Sequence, residues 1–244
     1  MKLVSIIIPY FRKKKFINKT IRSIINQTYK KFEILIIYDD TENQDFAFIK
    51  KLLSIDKRIK IIKNKTNLGA GLSRNKGIKK AKGQYIAFLD ADDIWQSNKI
   101  KYQINFMEKN NIDVSHTSYH IINFDGKIIG ERFAKNLNYN DLIKSCDIGL
   151  STVMIKKKIL KNNLFPNLKT KEDYVLWLNL ARKGYKFISI NKKFTYWRSL
   201  KNSLSSSTLQ KLIDGFRVYR YYLKKPLIAS FFHLFVLSFN FLKK

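Results

Sequence analysis

Residues 83–93 read Gly83-Gln84-Tyr85-Ile86-Ala87-Phe88-Leu89-Asp90-Ala91-Asp92-Asp93. Residues 85–89 are an unbroken apolar run, the length of a strand buried on both faces and too short for a helix. The run ends on three aspartates in four positions. Open α/β sheets bind ligands at the carboxyl ends of their strands. Three carboxylates packed so closely repel one another unless a cation sits among them, and hard oxygen donors of this kind suit Mg2+ or Mn2+ shared with substrate phosphates. A helix N-cap would explain Asp92 or Asp93 but not all three.

The same grammar extends back to the N-terminus. Residues 4–8, 33–38 and 59–62 are short β-rich runs. Between them lie helical patterns at 16–25 (Ile17, Ile21, Ile24, Ile25), around 46–53, and from about 70 to 81. Apolar strands alternating with helices predict a parallel sheet covered on both faces. After Asp93 the order changes. A helix around 97–109 precedes strands near 113–124 and 127–132, with Asp125-Gly126 as the hairpin turn. A strand at 150–155, a helix at 174–183, strands at 187–190 and 194–198, and a helix at 208–223 follow. No internal repeat and no Pro/Gly-rich linker divides the chain. The expectation is one mixed α/β domain with a helical appendage beginning near Ser205.

Composition sets limits on function. The 244 residues carry 48 Lys plus Arg against 18 Asp plus Glu, a net charge of +30, with 45% hydrophobic residues. That apolar content argues against disorder. The charge calls for a polyanionic partner: nucleic acid, an anionic membrane face, or a phosphate-rich substrate. The basic residues divide as 39 Lys to 9 Arg, a compositional bias that weakens the nucleic-acid reading, because Arg is the residue of bidentate phosphate and base-edge recognition. A single cysteine, Cys146, excludes an internal disulfide framework and an all-cysteine zinc site, and points to a reducing compartment. The apolar run at 3–8 is followed by basic residues at 12–15 without a small-residue cleavage site, so no secretory signal is expected. Residues 226–242 form an aromatic apolar run between lysine pairs at 224–225 and 243–244. Seventeen helical residues span roughly 25 Å, short of the roughly 30 Å hydrocarbon core, so lying in a membrane interface is easier than crossing it. A dimerisation helix or a lid over the core is the alternative.

Two further acidic groups stand at element ends. Asp39-Asp40 follows the 33–38 strand and could accept hydrogen bonds from a base or ribose, or form an ordinary turn pair. Lys171-Glu172-Asp173-Tyr174 opens a helix, where a carboxylate gains from the dipole and can also face a cleft as a base. The stretch Asn67-Leu68-Gly69-Ala70-Gly71-Leu72-Ser73-Arg74-Asn75-Lys76-Gly77 is glycine-rich but matches neither the dinucleotide nor the Walker spacing. Arg74 is placed for a phosphate or base.

These residues carry a family resemblance. Val4-Ser5-Ile6-Ile7-Ile8-Pro9-Tyr10, Ser23-Ile24-Ile25-Asn26-Gln27-Thr28-Tyr29, the 67–77 stretch, the 83–93 stretch and Glu172-Asp173 occur in the order seen in family 2 glycosyltransferases. The later Tyr196-Trp197-Arg198 and Asn202-Ser203-Leu204-Ser205 are similar to the end of their catalytic domain. The resemblance covers roughly residues 3–205. It implies a GT-A fold, a Rossmann-like mixed sheet, with a nucleotide-binding half at 1–95 and an acceptor half at 96–205; the aromatic, basic and apolar make-up of 206–244, beyond the resemblance, reads as a membrane-associating helical segment.

The resemblance also implies an inverting transferase that takes a nucleotide sugar, most often a UDP-sugar, to a lipopolysaccharide, lipooligosaccharide or capsule precursor. Donor contacts carried over are Pro9, Asp39 (the base), Arg74, Asp90 (near the ribose, first Asp of the DXD motif) and Arg198. Asp92 would bind the Mn2+ or Mg2+ that bridges the diphosphate, and Asp173 would be the general base. The implied partners are the donor, a glycan or glycolipid acceptor and an anionic membrane surface, with no nucleic acid. The implied location is the inner face of the cytoplasmic membrane. Two positions depart from the family pattern: Tyr38 replaces the first Asp of the usual Asp-Asp-Gly-Ser segment, and Leu200 stands where His is common. Arg198 would serve the diphosphate in place of that histidine, or be an ordinary strand-end arginine. His116, His120 and Trp177 are candidates for acceptor contacts. The competing reading is a non-catalytic basic protein on the same fold that binds membrane or nucleic acid.

Overall fold

The computed structural model describes residues 1–200 and 207–242. The Asn202-Ser203-Leu204-Ser205 run, the expected boundary near 205 and the terminal lysine pair lie outside them.

Four parallel strands, β1 (Val4–Tyr10), β2 (Phe32–Tyr38), β3 (Ile59–Lys63) and β4 (Tyr85–Phe88), lie in the order β3-β2-β1-β4. Helices α1 (Lys14–Ile25), α2 (Phe46–Lys51) and α3 (Gly69–Lys80) connect them. Side chains alternate across a strand with period two, and the sheet sorts them into two cores. Ile6, Ile8, Ile34 and Ile36 pack with Ile17, Ile21 and Ile24 of α1. Ile7, Leu35, Ile37 and Phe88 face the other side, with Ile78 of α3.

The second half comprises β5 (Ile94–Trp95), α4 (Lys99–Lys109), β6 (Val114–Ile122), β7 (Ile128–Arg132), α5 (Tyr139–Leu142), β8 (Met154–Lys156), α6 (Glu172–Arg182) and β9 (Phe187–Arg198). The sheet continues as β4-β8-β6-β9-β5, with β7 hairpinned onto β6 through Gly126 at φ +94°. Three strands separate β4 from β5, about 19 Å across a flat sheet at ~4.8 Å per strand. Yet only a short segment joins them. It contains a β-turn, with the Asp93 N–H donating to the Asp90 carbonyl at 3.1 Å, and the ends of such a turn stay within about 7 Å. The sheet therefore curls, bringing the ends of β4, β8 and β9 together.

Three expectations are corrected. Residues 150–155 are not one strand: Leu150–Thr152 form a 3-10 turn, and β8 starts only at Met154. There the Ser151 carbonyl accepts the Trp95 indole N–H at 2.8 Å instead of extending the ladder. The two late strands are a single one, β9, whose polar interruption at residues 191–193 is absorbed by register shifts against β6, as bulges do. The helix at 208–223 divides into α7 (Thr208–Arg217) and a π-turn, Val218–Tyr222.

The C-terminal helix α8 (Leu227–Leu242) folds back beside α7. Leu237, Val218, Tyr219 and Leu223 are buried in the core that contains α6. A Cβ on Gly215 would lie 2.9 Å from the Leu234 Cδ1, which shows how closely α7 and α8 approach.

One polar core residue yields a prediction. Lys99 is fully buried, its Nζ donating to the Gln103 Oε1 at 2.7 Å and lying 4.2 Å from the Trp95 ring centre. Desolvation, the only resolved cause, pulls its pKa down to about 7. Between that value and the unfolded value near 10.4 the unfolded chain binds the extra proton, so stability rises with pH, at most by about 1.4 kcal/mol per unit. Urea midpoints at pH 6, 8 and 10 are expected to show this slope in the native chain and not in Lys99→Met.

Candidate active site

The curl gathers the acidic element ends. Arg74, on α3, is buried; its Nη2 donates to the Asp90 Oδ1 and its Nη1 to the Glu172 Oε1, both at 2.7 Å. One guanidinium thus ties the carboxyl end of β4 to the first turn of α6. Close approach at this point requires a glycine: a Cβ on Gly71 would lie 3.0 Å from both the Glu172 Cγ and the Pro166 carbonyl oxygen. Asp173 is half-buried, its Oδ1 accepting the Tyr174 N–H at 2.7 Å.

Asp90, Glu172 and Asp173 surround one arginine, and the electrostatics follow. Burial pushes Glu172 up to about 7; Arg74 opposes the shift and Asp173 adds to it. Burial also raises Asp173, with Arg74 opposing and Asp90 adding. Both carboxyls hold protons more readily than free ones.

The three aspartates after β4 separate into different roles. Asp93 is buried. Its Oδ2 accepts the Ser151 hydroxyl at 2.5 Å and its Oδ1 the Arg198 main-chain N–H at 2.7 Å. Desolvation, then Asp92 and Asp90, push it well above the carboxylate range. Asp92 pairs with the Lys13 Nζ at 2.7 Å, and burial raises it against the pull of Lys13. Asp90 keeps one oxygen beyond its bond to Arg74. The Thr20 hydroxyl supports the turn from α1 through the carbonyls of Ala91 and Asp93, at 3.0 and 2.8 Å. None of the three caps a helix, since α4 begins after Asn98.

Asp39 is buried at the end of β2. It accepts the Asn64 Nδ2 and the main-chain N–H groups of Leu68 and Gly69, at 2.7, 2.8 and 2.8 Å. It thereby closes the start of α3, with three of a carboxylate's about four acceptor positions filled. A cavity of about 360 Å³ lined by Thr41, Asn43, Lys63, Asn64 and Lys65 adjoins it. Pro9 pairs with Ile37 near the end of β1. The next residue, Tyr10, stacks on Tyr38 at 5.5 Å and donates to Asp45 at 2.7 Å. The Arg198 Nε donates to the Asp92 carbonyl at 2.9 Å, and its Nη1 to the Asn123 and Phe124 carbonyls at 2.7 and 2.8 Å. That ties the β6–β7 turn to the aspartate turn; among the described residues nothing pairs with Nη2.

Two acceptor candidates are core residues. Trp177 is fully buried against Phe165 and Phe187. His116 is buried with its Nε2 3.0 Å from the Lys135 carbonyl, and burial lowers its pKa to about 4. His120 is half-buried and stacks on Tyr196 at 5.2 Å. Sequence reasoning did not single out Lys13, Ser151 or Asn64. Lys13 lay within the basic run after the first strand, and Asn64 directly follows the third; nothing local marks Ser151.

Among the described residues no three His, Cys, Asp or Glu side chains form a ready-made metal cluster. Mg2+ and Mn2+ sites of the phosphate-sharing kind need only one or two carboxylates, the remaining positions going to phosphate and water. Asp92 and Asp90 supply donors of that chemistry, so the residues fit such an ion.

Known proteins resemble this chain in sequence and in fold. The family model described as glycosyl transferase family 2 matches residues 5–165. The chain is 41% identical over 214 residues to the Escherichia coli UDP-Glc:alpha-D-GlcNAc-diphosphoundecaprenol beta-1,3-glucosyltransferase WfaP, covering 87% of this chain and 84% of that protein. Among solved structures it resembles S. aureus TarS in complex with UDP-GlcNAc (TM-score 0.75, 21% identity, 96% of this chain and 70% of that one). It also resembles the Pyrobaculum calidifontis mannosyltransferase PcManGT in complex with GDP-Man and Mn2+ (TM-score 0.71, 12% identity, 95% and 69%).

Removing Arg74 would leave the buried Glu172 carboxylate, and the half-buried one of Asp90, without their counter-charge, a change that costs about 3–5 kcal/mol. Arg74→Ala is expected to lose that much in urea titrations at pH 8. The deficit shrinks at pH 5, where the orphaned carboxyls take up protons.

Proposed function

This chain belongs to glycosyl transferase family 2, and from that premise we propose that it is an inverting, metal-dependent enzyme moving one sugar from a UDP-sugar to a lipid-linked surface-glycan precursor. The observation that carries the reading is the bridge made by Arg74. It holds the strand-end carboxylate of Asp90, one residue from Ala91-Asp92, against the helix start that bears Asp173. This brings a donor-binding end and a base to one opening. WfaP, by its name, takes UDP-Glc to a GlcNAc-diphosphoundecaprenol; a UDP-sugar and a diphosphate-linked lipid acceptor are the corresponding choices here.

In this reading the donor half is residues 1–95 and the acceptor half 96–205. Pro9 lines the base site, Asp39 presents its remaining acceptor position to the base, and Asp90 meets the ribose. Arg74 holds Asp90 in that place, and the free Nη2 of Arg198 faces the diphosphate. Asp92 completes the DXD motif and would hold Mn2+ or Mg2+, which when bound offsets charge on the departing diphosphate. Asp173 takes the proton of the acceptor hydroxyl as that oxygen attacks the anomeric carbon from the face opposite the leaving UDP, inverting it. Its raised pKa suits a base at neutral pH.

The C-terminal segment, 206–244, is read as a membrane-seated appendage that keeps the enzyme on the inner face of the cytoplasmic membrane. Among the described residues no helix is long and apolar enough to cross a membrane. Helix α8 is two-faced: Ser230 and Leu237 are buried, while Ile228, Phe231, Phe232, Phe235 and Phe239 form an exposed stripe. Arg220, Lys224 and Lys225 precede it. Apolar stripes with basic flanks bind anionic leaflets, each cation near the surface contributing about 1 kcal/mol.

The decisive measurement is sugar transfer from a panel of UDP-sugars to a diphosphate-lipid-linked acceptor. Turnover is expected to require Mn2+ or Mg2+, to stop on chelation, and to fall at least 100-fold in Asp92→Ala and in Asp173→Asn. Activity surviving both substitutions refutes the assignment. For the appendage, Phe232→Ser/Phe235→Ser in the full chain is expected to reduce sedimentation with anionic vesicles at least tenfold while leaving the thermal midpoint in place.

A further inference from the structure

The helical appendage also reaches the catalytic turn. Asp214, on α7, is fully buried. Its Oδ2 accepts the main-chain N–H and the hydroxyl of Thr170, each at 3.0 Å, and the Gln210 Nε2 at 3.0 Å. Its Oδ1 meets the Arg217 Nη1 at 3.2 Å. Thr170 immediately precedes Lys171, whose φ of +64° lies in the left-handed region that a lysine seldom adopts. Such a conformation is strained and persists only where its surroundings over-determine it. Lys171 is the N-cap of α6 and offers no side-chain cap; the residues that follow are Glu172 and Asp173.

The first turn of α6 is thus clamped on both sides. Glu172 is held from α3 by Arg74, and Thr170 is held from α7 by Asp214. In the same turn, the Tyr174 hydroxyl lies 3.0 Å from that of Tyr219, and the two donate to the carbonyls of Leu142 and Ile143. We propose that Asp214 is a positioning residue of the transfer reaction: by capturing both donors of Thr170 it fixes the left-handed turn at Lys171 and with it the direction in which Asp173 faces the acceptor. The C-terminal hairpin is then part of the catalytic apparatus as well as an appendage. The inference rests on Asp173 being the base.

The test is steady-state transfer kinetics on the full chain for Asp214→Ala, Thr170→Val, Thr170→Ser, Asp173→Asn and the double variant Asp173→Asn/Asp214→Ala. Asp214→Ala is expected to lower kcat 10- to 100-fold with the donor KM within twofold, and Thr170→Val to lower it three- to tenfold. Thr170→Ser, which restores the hydroxyl, is expected to return kcat to within threefold of the native value. The double variant should be no slower than Asp173→Asn alone, because a misaimed base and an absent one are the same defect.

Native kcat in a folded Asp214→Ala overturns the proposal, as does a double variant whose loss is the product of the two single losses. If Asp214→Ala fails to fold, Thr170→Val decides, since it removes one hydrogen bond only. Native turnover in Asp173→Asn overturns the base reading and this inference together; a dead Asp173→Asn beside fully active Asp214→Ala and Thr170→Val overturns the inference alone.

Discussion

The buried carboxylate of Asp93 accepts the Ser151 hydroxyl and the Arg198 main-chain N–H, and through those two bonds the ends of β4, β8 and β9 are fixed to one another. A carboxylate taken out of water must be hydrogen-bonded or neutralised. Here two donors meet it, and burial beside Asp92 and Asp90 raises its affinity for a proton. Its placement inward, at the last position of a β-turn, sets the directions of the residues before it. Asp90 and Asp92 are left at the opening, one beside Arg74 and the other beside Lys13. Three acidic choices in four positions that look redundant in the sequence are therefore one inward-facing residue and two at the opening.

The opening itself is held together by unequal charge. Asp90, Glu172 and Asp173 outnumber the single buried guanidinium between them, so part of the negative charge must be met by protons, by solvent or by a ligand. A raised proton affinity at Glu172 and Asp173 is the first of these outcomes. It is also what makes a carboxylate useful as a base near neutrality. Arg74 has two nitrogens paired, and its Nε is buried without a partner. The acidic opening sits on a chain of net charge +30. Long-range attraction for an anionic donor thus comes from the whole surface, while the short-range field at the strand ends favours a cation.

The parallel half was legible from sequence because its strands are buried on both faces. Continuous apolar runs such as those in β1 and β2 have one reading, and their ends were placed within two residues. Asp39, Asp90 and Asp92 stood out for the same reason, being acids that close such runs, whereas Asp173 stood out as an acid opening a helix. What was not legible depends on distance in the chain. Arg74 meets Glu172 across 98 residues, and Ser151 meets Asp93 across 58, with no local pattern to mark either. Strand β5 is two residues long and carries no period. Residues 150–152 look like the start of a strand because their apolar neighbours match that pattern, whereas the indole of Trp95 claims the carbonyl that a ladder would have used. His116 and Trp177 attract attention as functional types, yet burial makes them core.

The C-terminal run shows how helical period divides one apolar stretch into two faces. With about 3.6 residues per turn, Ser230, Leu234 and Leu237 share one face and pack inward. Ile228, Phe231, Phe232, Phe235 and Phe239 share the other and stay exposed. Hydropathy averaged along the segment merges the faces and suggests a span or a free anchor. Resolved by face, the inner stripe is needed to cover the core around α6, so the helix is fixed to the domain before any membrane is considered. The outer stripe then has a defined orientation relative to the acidic opening. A helix that floated free could concentrate the enzyme at a surface but could not aim it. One packed through Leu237, Tyr219 and Asp214 would transmit any orientation imposed on its outer stripe to the helix that carries Asp173.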